Sequence, residues 1–314
     1  MDQKEFHIPV LLSEVLKYLN PEKGDIVFDG TLGGAGHTIE IIKAIAPTGK
    51  VIGVDLHSQT LSTAAIKLGS SAGNMIPVND NFANIKEILK RLKITGINGF
   101  LLDLGLSSFM IDRSGRGFSY MKDEKLDMRF SDKQELNAFK IVNSYSEERL
   151  REIFTRYGEE RFSARISKNI GRRRAEKAIN TTLELVEIIR RSIPGKYIGK
   201  RKGNPAKRVF QALRIEVNGE LENLDRAITD GFEEMKSGGR MVIISYHSLE
   251  DRLVKKKFKE YEGICICPPS LPVCGCGVKK RARFITKRAV LPSKWEKERN
   301  PRAKSAKLRA LEKI

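Results

Sequence analysis

The chain has 314 residues, 40% of them apolar, which is enough for a sizeable core and, by length, for two domains. Lys and Arg number 58 against 39 Asp and Glu, a formal net charge of +19; this argues against a small-molecule dehydrogenase and for a polyanionic partner, most often nucleic acid. No apolar run approaches a membrane-spanning length and the opening MDQKEFHIPV has no signal-peptide core, so no membrane partner is expected and the cytoplasm is the expected compartment.

In chain order, Val15, Leu16 and Leu19 follow Pro9 at helical spacing. Pro21 and Gly24 then turn the chain into a short apolar run, Ile26 to Phe28, that ends at Asp29. The stretch DGTLGGAGH, Asp29 to His37, carries Gly30, Gly33, Gly34 and Gly36. Ile39, Ile41, Ile42 and Ile45 recur behind it as one face of a helix. Strand, glycine loop and helix together let a backbone approach a ligand closely, because glycine has no Cβ and tolerates positive φ. The helix start then offers N–H groups to an acceptor. The dinucleotide fingerprint G-x-G-x-x-G fails, since Gly34 and Gly36 fit but Ile39 holds the third position. No G-x-x-x-x-G-K-[ST] loop is present either. Asp55 ends the next apolar run, Val51 to Val54, and a carboxylate at that tip typically accepts bonds from ribose hydroxyls. A nucleoside site with weak phosphate credentials is expected, and it resembles the S-adenosylmethionine site of class I methyltransferases.

Met75 to Val78 predicts a third strand, and Phe100 to Leu102 a fourth that ends in Asp103. Phe82, just past strand three, lies either at the rim where an adenine would rest or in the core of the next helix with Ile85, Ile88 and Leu89. Alternating strands and helices predict an α/β fold with a doubly wound parallel sheet, which binds ligands at the carboxyl ends of its strands. Asp29, Asp55, Phe82 and Asp103 all fall at such ends. Between Asp112 and Asn204 the alternation stops. Ser146 to Tyr157 and the capping box Thr181–Glu184 mark helices there. The expected division is a core in two parts, residues 1–111 and 205–314, around an inserted all-helical substrate-recognition domain, residues 112–204. The borders of that insertion, RSGRGFSYMKDEKLDMRF and GKYIGKRKGNPAKR, mix basic residues with Phe118, Tyr120, Phe130 and Tyr197. Cations can hold phosphates while aromatics stack on unpaired bases.

Pro205 opens a long helix whose face Val209, Phe210, Leu213 and Val217 is assigned to the core. Gly238 and Gly239 turn into a fifth strand, Met241 to Ser245, with Tyr246, His247 and Ser248 at its rim. His247 reads equally as a substrate contact or as a hydrogen-bonded rim residue. Ser248 and Asp251 read as the cap of the following helix. Residues 283–290 and 304–311 can close the sheet as an antiparallel pair. The last 36 residues, 279–314, hold fourteen Lys and Arg against three Glu.

All four cysteines, Cys265, Cys267, Cys274 and Cys276, fall within twelve residues. They read either as four ligands of a structural zinc or as reduced cysteines in a substrate-facing loop. None lies near a rim strand, which disfavours attack by a thiolate on a cytosine ring and hence C5 methylation.

Seven motifs in order, HIPVLLSEVL, DGTLGGAGH, DLGLSS with RGFSYMKDEKLDMR, YGEERFSARI, RVFQALRIEVNGEL, SYHSLEDRLVKKKF and NPRAKSAKLRA, resemble the RsmH (MraW) family of bacterial methyltransferases, from about His7 to Arg309. The resemblance implies a class I methyltransferase core with an inserted helical domain. It implies S-adenosylmethionine-dependent methylation of the exocyclic N4 of a cytidine in 16S rRNA, at the decoding centre of the small ribosomal subunit. It places cofactor contacts on Ala35, Gly36, His37, Asp55, Phe82 and Asp103, and a further one on Met110. The family's usual Pro-Gln reads Phe109-Met110 here, so only a backbone or van der Waals contact is left at Met110. Cytosine N4 is a poor nucleophile, and Asp103 with Ser107 and Ser108 is the expected set that orients it. The [DNS]-P-P-[YFW] tetrapeptide of DNA amino methyltransferases is absent; Phe118, Tyr120 and Tyr246 are the candidates for stacking on the base.

Overall fold

The computed structural model describes residues 9–105, 114–198, 204–265, 267 and 277–314. The chain divides into two compact units, one of Met1–Gly105 with Leu221–Ile314 and one of Leu106–Glu220.

The first unit opens with α1 (Leu12–Leu19) and then alternates: β1 (Ile26–Asp29), α2 (Gly36–Ile45), β2 (Lys50–Asp55), α3 (Ser58–Leu68), β3 (Met75–Asn79), α4 (Ile85–Leu92) and β4 (Ile97–Asp103). The strands read as continuous apolar runs because both of their faces are covered. Val27, Val51 and Leu101 point to one face; Phe28, Ile52, Phe100 and Leu102 point to the other.

In the second unit the chain forms α5 (Ala138–Ser144), α6 (Glu147–Arg156), α7 (Ser163–Glu176), α8 (Thr182–Ser192), the single turn α9 (Gly195–Ile198) and α10 (Ala206–Asn218). Ser146 caps α6, and Thr181 with Glu184 forms the expected capping box of α8. The border differs from the one expected at residue 204, because α10 belongs to this unit. Its apolar face packs beside α5, α6 and α8, and Asn218 at its end holds the backbone of Met128 and Phe130, each at 2.8 Å. An apolar helix face does not name its partner, which is why the sequence assigned it to the core. Phe118 is buried and stacks on Phe130 at 5.7 Å, and Tyr120 packs edge-on to Phe210 at 5.9 Å. Both rings are engaged inside this unit.

The chain returns to the first unit through α11 (Glu220–Glu234), β5 (Met235–Ser245), α12 (Ser248–Tyr261), β6 (Ala282–Phe284), α13 (Lys294–Arg299) and β7 (Lys307–Lys313). The seven strands run in the order β3-β2-β1-β4-β5-β7-β6. The first five are mutually parallel and β7 is antiparallel to both its neighbours. This is the doubly wound α/β sheet expected, closed by the antiparallel pair. β5 starts earlier than the two glycines suggested, with a register shift between Ile97 and Gly99 of its partner. One face is covered by α1, α2 and α3, the other by α4, α11 and α12. Phe28 and Phe100 stack within the second face at 5.6 Å. Gly231 of α11 lies against that pair, and a Cβ there would come 2.6 Å from the Phe100 ring. Gly231→Ala is expected to destabilise this unit by about 1–3 kcal/mol, since a fully buried ring has nowhere to yield; urea unfolding measures it.

Asp251 of α12 ties the closing strand down, accepting from Arg309 Nε at 2.7 Å and Lys307 Nζ at 3.1 Å. Burial opposes its ionisation, but the bonds from Arg309 and Lys307 outweigh burial and hold its carboxyl below the ordinary value of 3.8. A lowered carboxyl contributes stability that is complete above its unfolded value and is lost as pH falls through the folded one. Asp251→Asn is therefore expected to be less stable than the parent chain at pH 7. That deficit should shrink on acidification below about pH 4, as denaturant titrations at several pH values would show.

Candidate active site

Asp29, Asp55 and Asp103 end β1, β2 and β4, neighbours in the sheet. The register sets Asp29 opposite Gly53 and Leu101, and Asp103 opposite Ile244. Tyr246 follows β5 directly. All four residues thus share the carboxyl rim of one sheet. What places them there is local: each buried apolar run stops where the chain must leave the sheet, and a polar side chain is tolerated only at that exit.

The glycine loop is held to this rim from three sides. Gly30 N donates to Leu101 O at 3.0 Å, and Leu32 N to Val54 O at 3.0 Å. Gly33 N donates to Asp55 Oδ2 at 3.1 Å. Gly33 and Ala35 both take positive φ, 47° and 61°. Ala35 is the residue before α2, and no side chain caps that helix. A non-glycine residue in the left-handed region is mild strain that packing must hold, and here it turns the first N–H groups of α2 onto the rim. Gly30 has no room for a side chain: a Cβ would meet Leu102 at 2.5 Å and Phe82 Cβ at 2.8 Å. Phe82 therefore packs against the core cluster of its sheet face and also abuts the loop.

Asp29 is buried and fully engaged, accepting from Thr38 Oγ1 at 2.6 Å and Thr31 N at 3.1 Å. Burial raises its pKa despite these bonds. It braces the loop rather than facing a ligand. Asp55 is half-buried; its Oδ1 accepts from His57 N at 2.9 Å. Burial raises its pKa as well, opposed by the His57 and Gly33 N–H groups. Each of its oxygens keeps a second lone pair for an incoming hydroxyl.

Asp103 makes the other half of the site. Its own N–H donates to Thr31 Oγ1 at 2.6 Å, and its Oδ1 accepts from the Tyr246 hydroxyl at 2.6 Å. Oδ2 lies 4.0 Å from His37 Nδ1. The opposite ring nitrogen of His37, Nε2, donates to Val10 O at 2.9 Å, which fixes the ring. Burial, together with the Asp103 charge, pushes the Tyr246 phenol far above its ordinary range. Tyr246 is therefore a standing donor to Asp103 at any working pH. The Tyr246 ring lies along the Gly105 backbone, where a Cβ would approach it to 3.0 Å.

The cap of α12 differs from the Ser248–Asp251 pair expected. His247 is the cap: its Nδ1 accepts from Glu250 N at 3.4 Å. Glu250 returns the bond and takes the N–H groups of Tyr246 and His247 on Oε2, at 2.7 and 3.1 Å. The helix starts one residue earlier than the sequence suggested, and Asp251 is released to β7. His247 Nε2 lies 3.0 Å from Glu250 Oε1 without the angle of a hydrogen bond.

Of the expected site residues, Ala35, Gly36, His37, Asp55, Phe82 and Asp103 come together on this rim. Ser107, Ser108 and Met110 lie outside the described residues, as do Cys274 and Cys276. Cys265 is exposed and Cys267 half-buried after α12, so the described residues hold only half of the expected thiolate set. Thr31, Thr38, Glu250 and Lys67, whose Nζ donates to Gly34 O at 3.0 Å, were not foreseen. Only Thr31 and Thr38 carried a signal, by flanking the glycines.

Comparison with known proteins gives the family. The family model described as the MraW methylase family matches residues 4–314. The chain belongs to the MraW methylase family. Two relatives that it resembles are both called ribosomal RNA small subunit methyltransferase H. The one from Clostridium botulinum (strain Loch Maree / Type A3) is 49% identical over 98% of this chain and 99% of its own length. The one from Carboxydothermus hydrogenoformans is 46% identical over 98% of each. A solved rRNA methylase from Streptococcus thermophilus aligns over 96% of this chain and 93% of its own, with 11% identity and a TM-score of 0.42, a likeness too slight to decide anything. No helix among the described residues is long and apolar enough to cross a membrane.

Proposed function

We propose that the chain transfers a methyl group from S-adenosylmethionine to the exocyclic N4 of a cytidine in 16S rRNA of the small ribosomal subunit, in the cytoplasm. The observation that carries this reading is the Asp103–Tyr246 pair set beside the glycine loop in a chain of the MraW family. The rim residues fit the donor: Asp55 offers carboxylate oxygens for ribose hydroxyls, Phe82 offers an apolar edge, and the uncapped start of α2 offers N–H groups to a carboxylate. When bound, S-adenosylmethionine supplies an electrophilic methyl on a sulfonium.

The chain's task is to present the amine to that methyl. The lone pair of N4 is delocalised into the ring, and an acceptor on one N4 hydrogen localises it. Asp103 is the acceptor on this rim, with its backbone pinned by Thr31 and its far oxygen held by Tyr246. The new N–C bond forms as the S–C bond breaks, and N4 then sheds one proton toward the Asp103 side. Alignment of this kind is worth about 7–11 kcal/mol of barrier at its best. No covalent enzyme intermediate is involved. Ser107 and Ser108 help to orient the amine in this reading, Met110 contributes backbone or van der Waals contact, and the second unit presents the RNA. A structural zinc on Cys265, Cys267, Cys274 and Cys276 is a separate proposal through which no step of the reaction runs.

Labelled S-adenosylmethionine incubated with small ribosomal subunits and, separately, with naked 16S rRNA tests the reading. Label in either substrate is expected. No incorporation into both, from chain that binds the donor, would mark it as an assembly factor that kept the fold without the chemistry.

A further inference from the structure

A second feature of the rim lies on the far side of Tyr246. A cavity of about 350 Å³ opens between the end of β5 and the start of β7. Tyr246, His247, Ser248, Lys297, Lys304 and Lys307 line it. Three lysines thus line one recess, and none of its lining residues is acidic. Lys307 is shared with Asp251. Lys297 and Lys304 have no side-chain acceptor among the described residues. The start of the fourteen-residue helix α12 adds its own positive end through His247 and Ser248. Like charges gather at such a recess at a Coulomb cost, which an anion between them removes.

We propose that this cavity is a phosphate site for the backbone of the substrate RNA strand, distinct from the donor site, and that it sets the position of the target base. The proposal rests on the methyl-transfer reading above and deepens it. Tyr246 connects the two places: its hydroxyl bonds to Asp103 while the same residue lines the cavity. A phosphodiester seated on Lys297 and Lys304 is therefore held within one side chain's span of the acceptor that orients the amine. Phosphate contacts of this sort fix register without reading sequence. The recess suits a single tetrahedral anion with its flanking sugars, and the flexible ammonium groups suit a point-charge partner.

The test uses the full chain carrying Lys297→Gln and Lys304→Gln together. Lys304 is exposed and Lys297 half-buried, so folding is checked by melting and is expected to hold. KM for the rRNA substrate should rise about tenfold, and the slope of log affinity against log salt should fall by about 1. The affinity for S-adenosylmethionine should stay unchanged. Lys297→Arg with Lys304→Arg should restore most of the loss, since charge is what the site uses. Unchanged KM and unchanged salt slope in the Gln variant would overturn the phosphate site while leaving the methyl-transfer reading intact. A parent chain that methylates no rRNA would remove that reading and the site together.

Discussion

Replacing Asp103 by alanine is expected to lower kcat for rRNA methylation by about 10²–10⁴-fold, the range for removal of a positioned proton acceptor. The RNA affinity should change by no more than about threefold, because ground-state binding is spread over many phosphates. Three structural facts carry this expectation. Asp103 closes β4 at the centre of the rim, between β1 and β5. Its backbone is pinned by Thr31 at 2.6 Å, and one carboxylate oxygen takes the Tyr246 hydroxyl at 2.6 Å. The other oxygen has no hydrogen bond of its own among the described residues, only His37 Nδ1 at 4.0 Å. Tyr246→Phe should lose less, about 10–100-fold, the worth of one hydrogen bond to a charged acceptor. Single-turnover rates at saturating donor separate this effect from donor binding. An Asp103→Ala chain that turns over at the parent rate would show that Asp103 only braces the rim.

Asp55→Ala is expected to weaken S-adenosylmethionine binding by about 10–100-fold, the cost of one or two hydrogen bonds to a carboxylate. The loss has two sources. In the proposed reading Asp55 supplies lone pairs for ribose hydroxyls, and it also holds the glycine loop through Gly33 N at 3.1 Å. Asp55→Asn separates them, because the amide keeps an oxygen for the loop while one acceptor becomes a donor. Calorimetric titration with the donor gives the affinities, and kcat at saturating donor should fall far less than affinity. An unchanged affinity in Asp55→Ala would move the donor's ribose away from β2.

Much of this rim was legible in the sequence because of how strands are buried. Runs such as Val51 to Val54 have to stop where water begins, and the first polar residue after each run marks the rim. Asp29, Asp55 and Asp103 were found in that way, and the four glycines after Asp29 gave the loop. What was not legible depends on long-range pairing. Tyr246 and Asp103 are 143 residues apart, and nothing local to either tells which oxygen meets which hydroxyl. The sequence offered Tyr246 as one of three candidate stacking rings, with Phe118 and Tyr120; the structure adds the bond of its hydroxyl to Asp103. His247 as a helix cap was missed because a ring nitrogen is an uncommon acceptor at that position, and Ser248 beside it looked more conventional. The face of α10 was apolar enough to call a core, but periodicity states that a face is buried, never against what. The lysines of the second cavity come from α13, the turn after it and β7, and only the fold brings them to one recess.

The identity of the methylated nucleoside tests the central claim most directly. Small-subunit rRNA labelled by the purified chain would be digested to nucleosides and separated by chromatography with mass spectrometry. N4-methylcytidine as the labelled product is the predicted result. Label on C5 of cytidine or on a ribose hydroxyl would contradict it, because neither acceptor is an amine held against Asp103; label on another base would contradict the choice of cytidine.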